Sequence, residues 1–165
     1  MEPEAIRELL AGLGAQQAET VDYARRGIHV EALLPAKRLR DAAQALRDRE
    51  FLIEDVVAVD AEPSMMVVYH LHHVGGGCRV ALRVLTDRNS PTVPSVQDVF
   101  PGANWHEREQ HDFFGVVFEG HPDLSPLILP EDAGDLRPLR KEGKRLKPLE
   151  AVLPPRGEES AGEDA

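Results

Sequence analysis

Two alternating runs, "MMVVYHLHHV" from Met65 and "CRVALRVLT" from Cys78, flank three consecutive glycines, Gly75 to Gly77. Glycine adopts positive φ without a Cβ penalty, so this pattern predicts a β-hairpin. A phosphate-binding loop is excluded, because no helix start follows the glycines and the next residues alternate like a strand. In that strand Val80, Leu82 and Val84 face inward, and Arg79 and Arg83 face out.

The rest of the chain up to about residue 115 supplies partners for the hairpin. Ile6, Leu9, Leu10 and Leu13 follow i, i+3, i+4, i+7 spacing and predict a short helix ended by Gly12 and Gly14. "GIHVEALLP" alternates Ile28, Val30, Ala32 and Leu34 against His29 and Glu31, which predicts a strand with one wet face, stopped by Pro35. Leu39, Ala42, Ala43 and Leu46 repeat the helical spacing, and this second helix should lie on the sheet. "FLIEDVVAVD" from Phe51 is a further strand. The order of elements predicts an α+β fold: a mostly antiparallel sheet with helices on one face, then a motif-bearing helix and an extended, proline-rich C-terminal arm. The boundaries expected are an α+β core over 1–115, the arm over 116–150, and a disordered acidic tail over 151–165.

Composition narrows the function. A chain of 165 residues is long enough for one domain with its own core. A net charge of -10 and a pI near 5.1 oppose whole-surface attraction to nucleic acid or anionic lipid. Cys78 is the only cysteine, so the chain by itself makes no internal disulfide and cannot supply the four thiolates an iron-sulfur cluster normally takes. A reducing, cytosolic compartment is expected. The N-terminal stretch reads as an amphipathic helix rather than a secretory signal. No apolar run approaches the ~20 residues needed to span a bilayer, so membrane contact would come only through a partner.

The densest chemistry lies in "NWHEREQHDFFGVVFEGHPDL", from Asn104. A zinc site is the first possibility to test. His106 and His111 are five residues apart and point ~140° away from each other on a helix, unlike the four-residue spacing of zinc proteases. Glu107 and His111 share a face, but two ligands are too few and His121 lies beyond the helix. Trp105, Arg108, Glu109 and Asp112 do form one stripe, at i, i+3, i+4 and i+7. A solvated salt-bridge face is one reading. The indole favours another, in which the face is at least partly buried and Arg108, Glu109 and Asp112 form a buried or interfacial network. "GVVFEGHPDLSPLILP" follows with Phe118, Leu124, Leu127, Ile128 and Leu129 on a backbone stiffened by Pro122, Pro126 and Pro130. It reads either as an arm for a partner or as a long loop packed on its own domain.

Other candidates are weaker. His70 and His72 share a strand face without a third ligand. Cys78 lacks an activating neighbour and reads as an apolar filler. The basic run Arg137, Arg140, Lys141, Lys144, Arg145 and Lys147 has no interleaved aromatic for base stacking and is expected to dock on an acidic patch of a neighbouring subunit.

These motifs together resemble the 30 kDa subunit family of respiratory complex I, the proton-pumping NADH:quinone oxidoreductase, over residues 28 to 142. The family signature is Glu-Arg-Glu, two residues, Asp, one residue, an aromatic or aliphatic, Gly, two residues, Phe, one residue, Gly-His-Pro. It is met by Glu107, Arg108, Glu109, Asp112, Phe114, Gly115, Phe118, Gly120, His121 and Pro122. Pro138, Leu139, Arg140 and Lys141 match a second family segment. That segment departs at Gly134 and Leu136, where the family has Trp and Gly, and at Glu142 and Gly143.

The resemblance implies a non-catalytic subunit that binds no cofactor or metal and sits peripherally on the cytoplasmic side of the cell membrane. It would pack on the hydrogenase-like large (49 kDa-type) subunit near the quinone site, alongside iron-sulfur subunits, in a hetero-oligomer whose parent complex carries iron-sulfur clusters and FMN. The matched residues, with Trp105, would be interface and structural elements. The departures keep open an equivalent subunit of a complex I-related membrane-bound hydrogenase or formate hydrogenlyase-type complex, with a nickel-iron centre. A reading of another class is a metal-dependent hydrolase built from His106, Glu107, His111 and His121.

Overall fold

The computed structural model describes residues 2–141 and 146–153. The hairpin forms as its sequence requires. β5 (Ser64–His73) and β6 (Arg79–Asp87) run antiparallel, with Tyr69 opposite Leu82 and Leu71 opposite Val80. Gly76 and Gly77 both take positive φ in the turn, which only glycine enters without strain.

Around this pair the chain builds one five-stranded sheet in the order β1 (Gln17–Thr20), β2 (Val30–Leu34), β6, β5, β3 (Phe51–Val59). Three of its pairings are antiparallel, but β2 and β6 run parallel, with Val30 beside Val80 and Leu34 beside Val84. The parallel pairing joins strands about fifty residues apart in sequence, so the local hairpin pattern carried no sign of it. β1 was also unforeseen, because "QAET" has no apolar alternation. It is an edge strand whose pairing is set by β2.

All three longer helices cover the same face. α1 (Pro3–Gly12) contributes Ile6 and Leu10, α3 (Leu39–Arg47) Leu39, Ala42, Ala43 and Leu46, and α4 (Ala103–Phe114) Ala103 and Phe114. They pack on Val30, Ala32 and Leu34, on Val80, Leu82 and Val84, on Met65, Val67, Tyr69 and Leu71, and on Phe51, Val56 and Ala58. A single-turn α2 (Tyr23–Arg26) links β1 to β2, capped by the Asp22 carboxylate. Cys78 is buried in the main core as a small apolar side chain.

The opposite face is less wet than expected. Ile28, Met66, Val68 and Ala81 form a second buried cluster against Val21, Val59, Leu85 and Leu153. Glu31, predicted to be solvated, is buried and accepts from Arg83 at 2.6 Å and Arg26 at 2.9 Å. Arg83 therefore does not reach freely into water. Its neighbours along the sheet are apolar, so the two charges are stable there only as a pair.

Short elements complete the fold. β7 (Thr92–Pro94) pairs in parallel with β8 (Val117–Glu119), and β4 (Ala61–Glu62) pairs in parallel with β9 (Lys147–Pro148). Leu149–Ala151 forms a 3-10 turn and Leu153 packs on the back cluster. The rest of the acidic tail, from residue 154, lies outside the described residues.

Tyr69 is the largest fully buried side chain, and its hydroxyl has no hydrogen-bond partner among the described residues. Leu39, Ala43, Ile53, Leu82, Val96 and Phe100 line the space around it, and no water fits among them. A buried hydroxyl without a partner costs about 1–3 kcal/mol. Tyr69→Phe should therefore leave the chain as stable or raise the denaturation midpoint, measured by urea unfolding.

Candidate functional site on helix α4 and the arm

Helix α4 carries the polar motif because its two faces meet different surroundings. Its inner face packs along β3 and its outer face is crossed by the arm that follows β8. The helix stops at Gly115, whose φ of 74° is the left-handed conformation of a C-cap and whose N–H donates to the His111 carbonyl at 2.9 Å. A Cβ on Gly115 would also come within 2.9 Å of Arg137 Nε, so the arm closes over this residue.

Glu107 is fully buried. Its carboxylate accepts from Ser95 Oγ at 2.6 Å and from the Val96 N–H at 2.8 Å, tying the segment after β7 to the helix. Arg40 of α3 donates to the Ser95 carbonyl at 2.8 Å and pairs with Asp98, so Ser95 to Asp98 is clamped between two helices. Burial pushes the Glu107 carboxyl up to about 7, and the two donated hydrogen bonds only partly offset it. One turn on, the Gln110 Oε1 accepts from the Ala58 N–H at 2.9 Å, which satisfies the outer edge of β3.

Asp112 and Arg108 hold the arm. One oxygen of Asp112 accepts three consecutive N–H groups, from Leu127 at 2.9 Å, Ile128 at 2.8 Å and Leu129 at 3.1 Å. Burial opposes its charge, but these three bonds outweigh it and hold the carboxyl below its ordinary value. Arg108 donates to the carbonyls of Ser125 and Pro126 and to Ser125 Oγ, at 3.1 to 3.2 Å.

The expected network among Arg108, Glu109 and Asp112 is thus not formed. Among the described residues no ion pair joins these three side chains, although all lie on one stripe. The physical reason is competition from the arm. Its backbone between Ser125 and Leu129 lies in no strand, so its N–H and C=O groups take the carboxylate and the guanidinium instead. Nor does the Trp105 indole bury on its own chain. It is 61% exposed, with the Arg108 guanidinium 5.6 Å from its ring centre.

A second clasp fixes the far end of the arm. Asp60 is fully buried and accepts from Arg88 Nε at 2.7 Å, from Arg88 Nη2 at 3.0 Å and from the Lys141 N–H at 2.7 Å. Arg88 donates to the Lys141 carbonyl, and Arg140 to the Arg88 carbonyl at 2.7 Å. Leu139 N–H reaches the Phe113 carbonyl at 3.2 Å, and Pro138 lies exposed beside it. Arg140, expected to seek an acidic patch elsewhere, is therefore engaged within this chain. Lys144 and Arg145 lie outside the described residues. Phe114 and Phe118 are core residues, while Gly120 and Pro122 are exposed in the turn that begins the arm.

The four residues of the hydrolase reading are not brought together. His106 Nδ1 lies 3.2 Å from Asp55, Glu107 points into the core, and His111 Nδ1–H donates to the Val116 carbonyl at 2.8 Å. His121 Nδ1 accepts from the Asp123 N–H, leaving its Nε2–H toward the Asn104 carbonyl at 3.3 Å. Among the described residues no three His, Cys, Asp or Glu side chains could hold a metal ion, His70 and His72 included.

Ser95, Gln110, Asp60 and Arg88 were missed in the sequence. Their partners, Glu107 for Ser95, Ala58 for Gln110, and Asp60 and Arg88 for each other, lie 12 to 52 residues away along the chain, and an isolated Ser, Gln, Asp or Arg carries no spacing signal.

What the helix and arm define is a clasp. Its polar side chains bind backbone of the same chain and leave apolar ones outside. The family model for the respiratory-chain NADH dehydrogenase 30 Kd subunit matches residues 32–147. The chain belongs to that family. It is 42% identical over 113 residues to an NADH-quinone oxidoreductase subunit of Roseiflexus sp. (strain RS-1), covering 64% of each chain. The match to the same subunit from Moorella thermoacetica is 38% over 123 residues, 72% of this chain and 82% of that one. The match therefore spans just under two thirds of the Roseiflexus relative's length. Among solved structures, the trypsin-resistant fragment (1–134) of Nqo5 superposes with a TM-score of 0.63 at 31% identity, over 75% of this chain and 100% of that one. A chain of the membrane-bound sulfane sulfur reductase, an archaeal respiratory membrane complex, matches with a TM-score of 0.71 at 29% identity, over 98% of each.

Two outcomes test the clasp. Glu107 gives a pH signature. Its folded-state value near 7 exceeds the ordinary 4.5, so the native chain holds an extra proton between those limits. Its stabilising effect is complete below about pH 4.5 and is lost as pH rises through 7, a swing of ~3 kcal/mol at about 1.4 kcal/mol per pH unit. Glu107→Gln, which keeps the size and can satisfy both Ser95 and Val96, should flatten this part of the stability profile in urea titrations. Asp112→Ala should lower stability by about 1–3 kcal/mol through the lost acceptor and speed proteolysis between Ser125 and Leu129.

Proposed function

We propose that this chain is a non-catalytic subunit of the peripheral arm of a proton-translocating NADH:quinone oxidoreductase. It packs on the hydrogenase-like large subunit near the quinone site, on the cytoplasmic side of the membrane, and carries no cofactor itself. The iron-sulfur clusters and FMN would belong to its partners. The observation that carries this reading is the division of labour on α4 and the arm. The polar motif turns inward onto backbone, and Trp105, Val117, Ile128, Leu136 and Leu139 stay exposed. Such a surface suits permanent association rather than turnover. Family membership and the likeness to NADH-quinone oxidoreductase subunits support the assignment. No helix among the described residues is long and apolar enough to cross a membrane, which agrees with attachment through partners.

A second reading is the equivalent subunit of a related respiratory membrane complex or membrane-bound hydrogenase. The end-to-end likeness to the archaeal sulfane sulfur reductase chain favours it, as do Gly134 and Leu136 in place of the family's Trp and Gly.

The test is recovery of the tagged chain from native membranes in mild detergent, with mass spectrometry of its companions and metal analysis of the isolated chain. A hydrogenase-type large subunit with iron-sulfur and NADH-binding subunits is the expected result. The same set without NADH-binding subunits would select the second reading. A solitary chain with stoichiometric metal would overturn both. The double variant Ile128→Asp, Leu139→Asp should cut partner recovery at least tenfold while leaving the thermal midpoint of the isolated chain within a few degrees.

A further inference from the structure

We infer that Trp105, clasped by Arg108 on the outer face of α4, is the anchor through which this chain enters its partner subunit, in an apolar recess bordered by a carboxylate. The inference rests on the assembly role proposed above and deepens it.

The distribution of apolar surface comes first. Eight large apolar side chains are exposed among the described residues, and five of them, Trp105, Val117, Ile128, Leu136 and Leu139, fall between positions 105 and 139. The other three, Tyr23, Leu52 and Val74, are scattered over the rest of the chain. Scattered exposed residues need no explanation, but five within one stretch of chain, on α4, β8 and the arm, suit an interaction surface. Trp105 is the largest of the five and the most exposed. It stands on a helix whose Ala103, Glu107, Gln110, Asp112 and Phe114 are all buried. Tryptophan and arginine are the residue types most enriched where a few side chains dominate binding.

Preorganisation is the second observation. The Arg108 guanidinium is held through Nε and Nη2 by four hydrogen bonds to Ser125 and Pro126, and the indole rests against it. The rotamer entropy that an exposed tryptophan and arginine would lose on docking is thus largely lost before a partner arrives. The contact also makes the anchor depend on the seated arm, because the carbonyls that fix Arg108 belong to it.

Charge defines what the partner must offer. Among the described residues, Nη1 of Arg108 donates no hydrogen bond and no carboxylate lies within 4 Å of the guanidinium. Asp123 is near enough to be affected by its charge but does not pair with it. A cation covered by apolar surface needs an acceptor from the other side, so the recess should carry an Asp or Glu at its rim. A bilayer is a poorer occupant for a chain of net charge -10. A second copy meeting this face symmetrically would set Arg108 against Arg108.

The experiment uses the tagged chain in its native complex. Trp105→Ala should reduce co-purification of the large subunit at least tenfold, with the isolated variant melting within a few degrees of the parent. Trp105→Phe should restore part of the recovery. Hydroxyl-radical footprinting, read on the peptide that contains Trp105, should show the indole oxidised in the isolated chain and protected in the complex. Equal oxidation in both states would overturn the inference, as would wild-type recovery of Trp105→Ala. If that variant assembles normally while Ile128→Asp, Leu139→Asp does not, the assembly role stands and the Trp105 anchor falls; if both assemble normally, both fall. Protection of Trp105 by anionic phosphatidylglycerol vesicles alone, or a Trp105-dependent dimer in sedimentation, would also overturn it.

Discussion

The three N–H groups of Leu127, Ile128 and Leu129 converge on one oxygen of Asp112, and the course of the arm depends on that contact. A segment outside any sheet must find acceptors for its amides, and water or a side chain are the alternatives. Here a helix supplies the side chain. With the amides held from one side and the carbonyls of Ser125 and Pro126 held by Arg108, the segment is fixed mainly through its backbone, the Ser125 hydroxyl adding one contact. The Ile128 side chain is then not needed to hold the segment, which is how it can remain exposed without the arm being loose.

The same device recurs at lower visibility. Glu107 holds Ser95 and Val96, Gln110 holds Ala58, and Asp60 with Arg88 holds Lys141. Two carboxylates of one helix are nevertheless pushed in opposite directions. Glu107 is enclosed by core with two donors, and burial raises it. Asp112 is also buried but has three donors, and they hold it down. The chain therefore combines one acid that favours folding when protonated with another that favours it when charged.

Much of the fold was legible. The hairpin across Gly75 to Gly77, the helical spacings of Ile6 to Leu13 and Leu39 to Leu46, and the stripe of α4 are local patterns fixed by the periods of strand and helix. The motif stripe was legible as geometry but not as bonding. Arg108, Glu109 and Asp112 do share a face, yet the partners of Arg108 and Asp112 lie 15 to 18 residues away, at Ser125 to Leu129. Glu107 was weighed as a possible ligand because it shares a helix face with His111, whereas its real partners, Ser95 and Val96, precede it by a turn and a loop.

The sequence by itself determined the four longer strands, the three longer helices, the layer they form and the motif that marks the family, because these depend on residue order over a few turns. Only the tertiary structure decided that β2 joins β6 in parallel, that Glu31 is buried between arginines, and that the arm is strapped to its own domain at both Asp112 and Asp60. Each of these is a choice of partner across tens of residues. Such choices follow from which unsatisfied backbone or charged group the folded chain brings within hydrogen-bonding reach, and no local period encodes that.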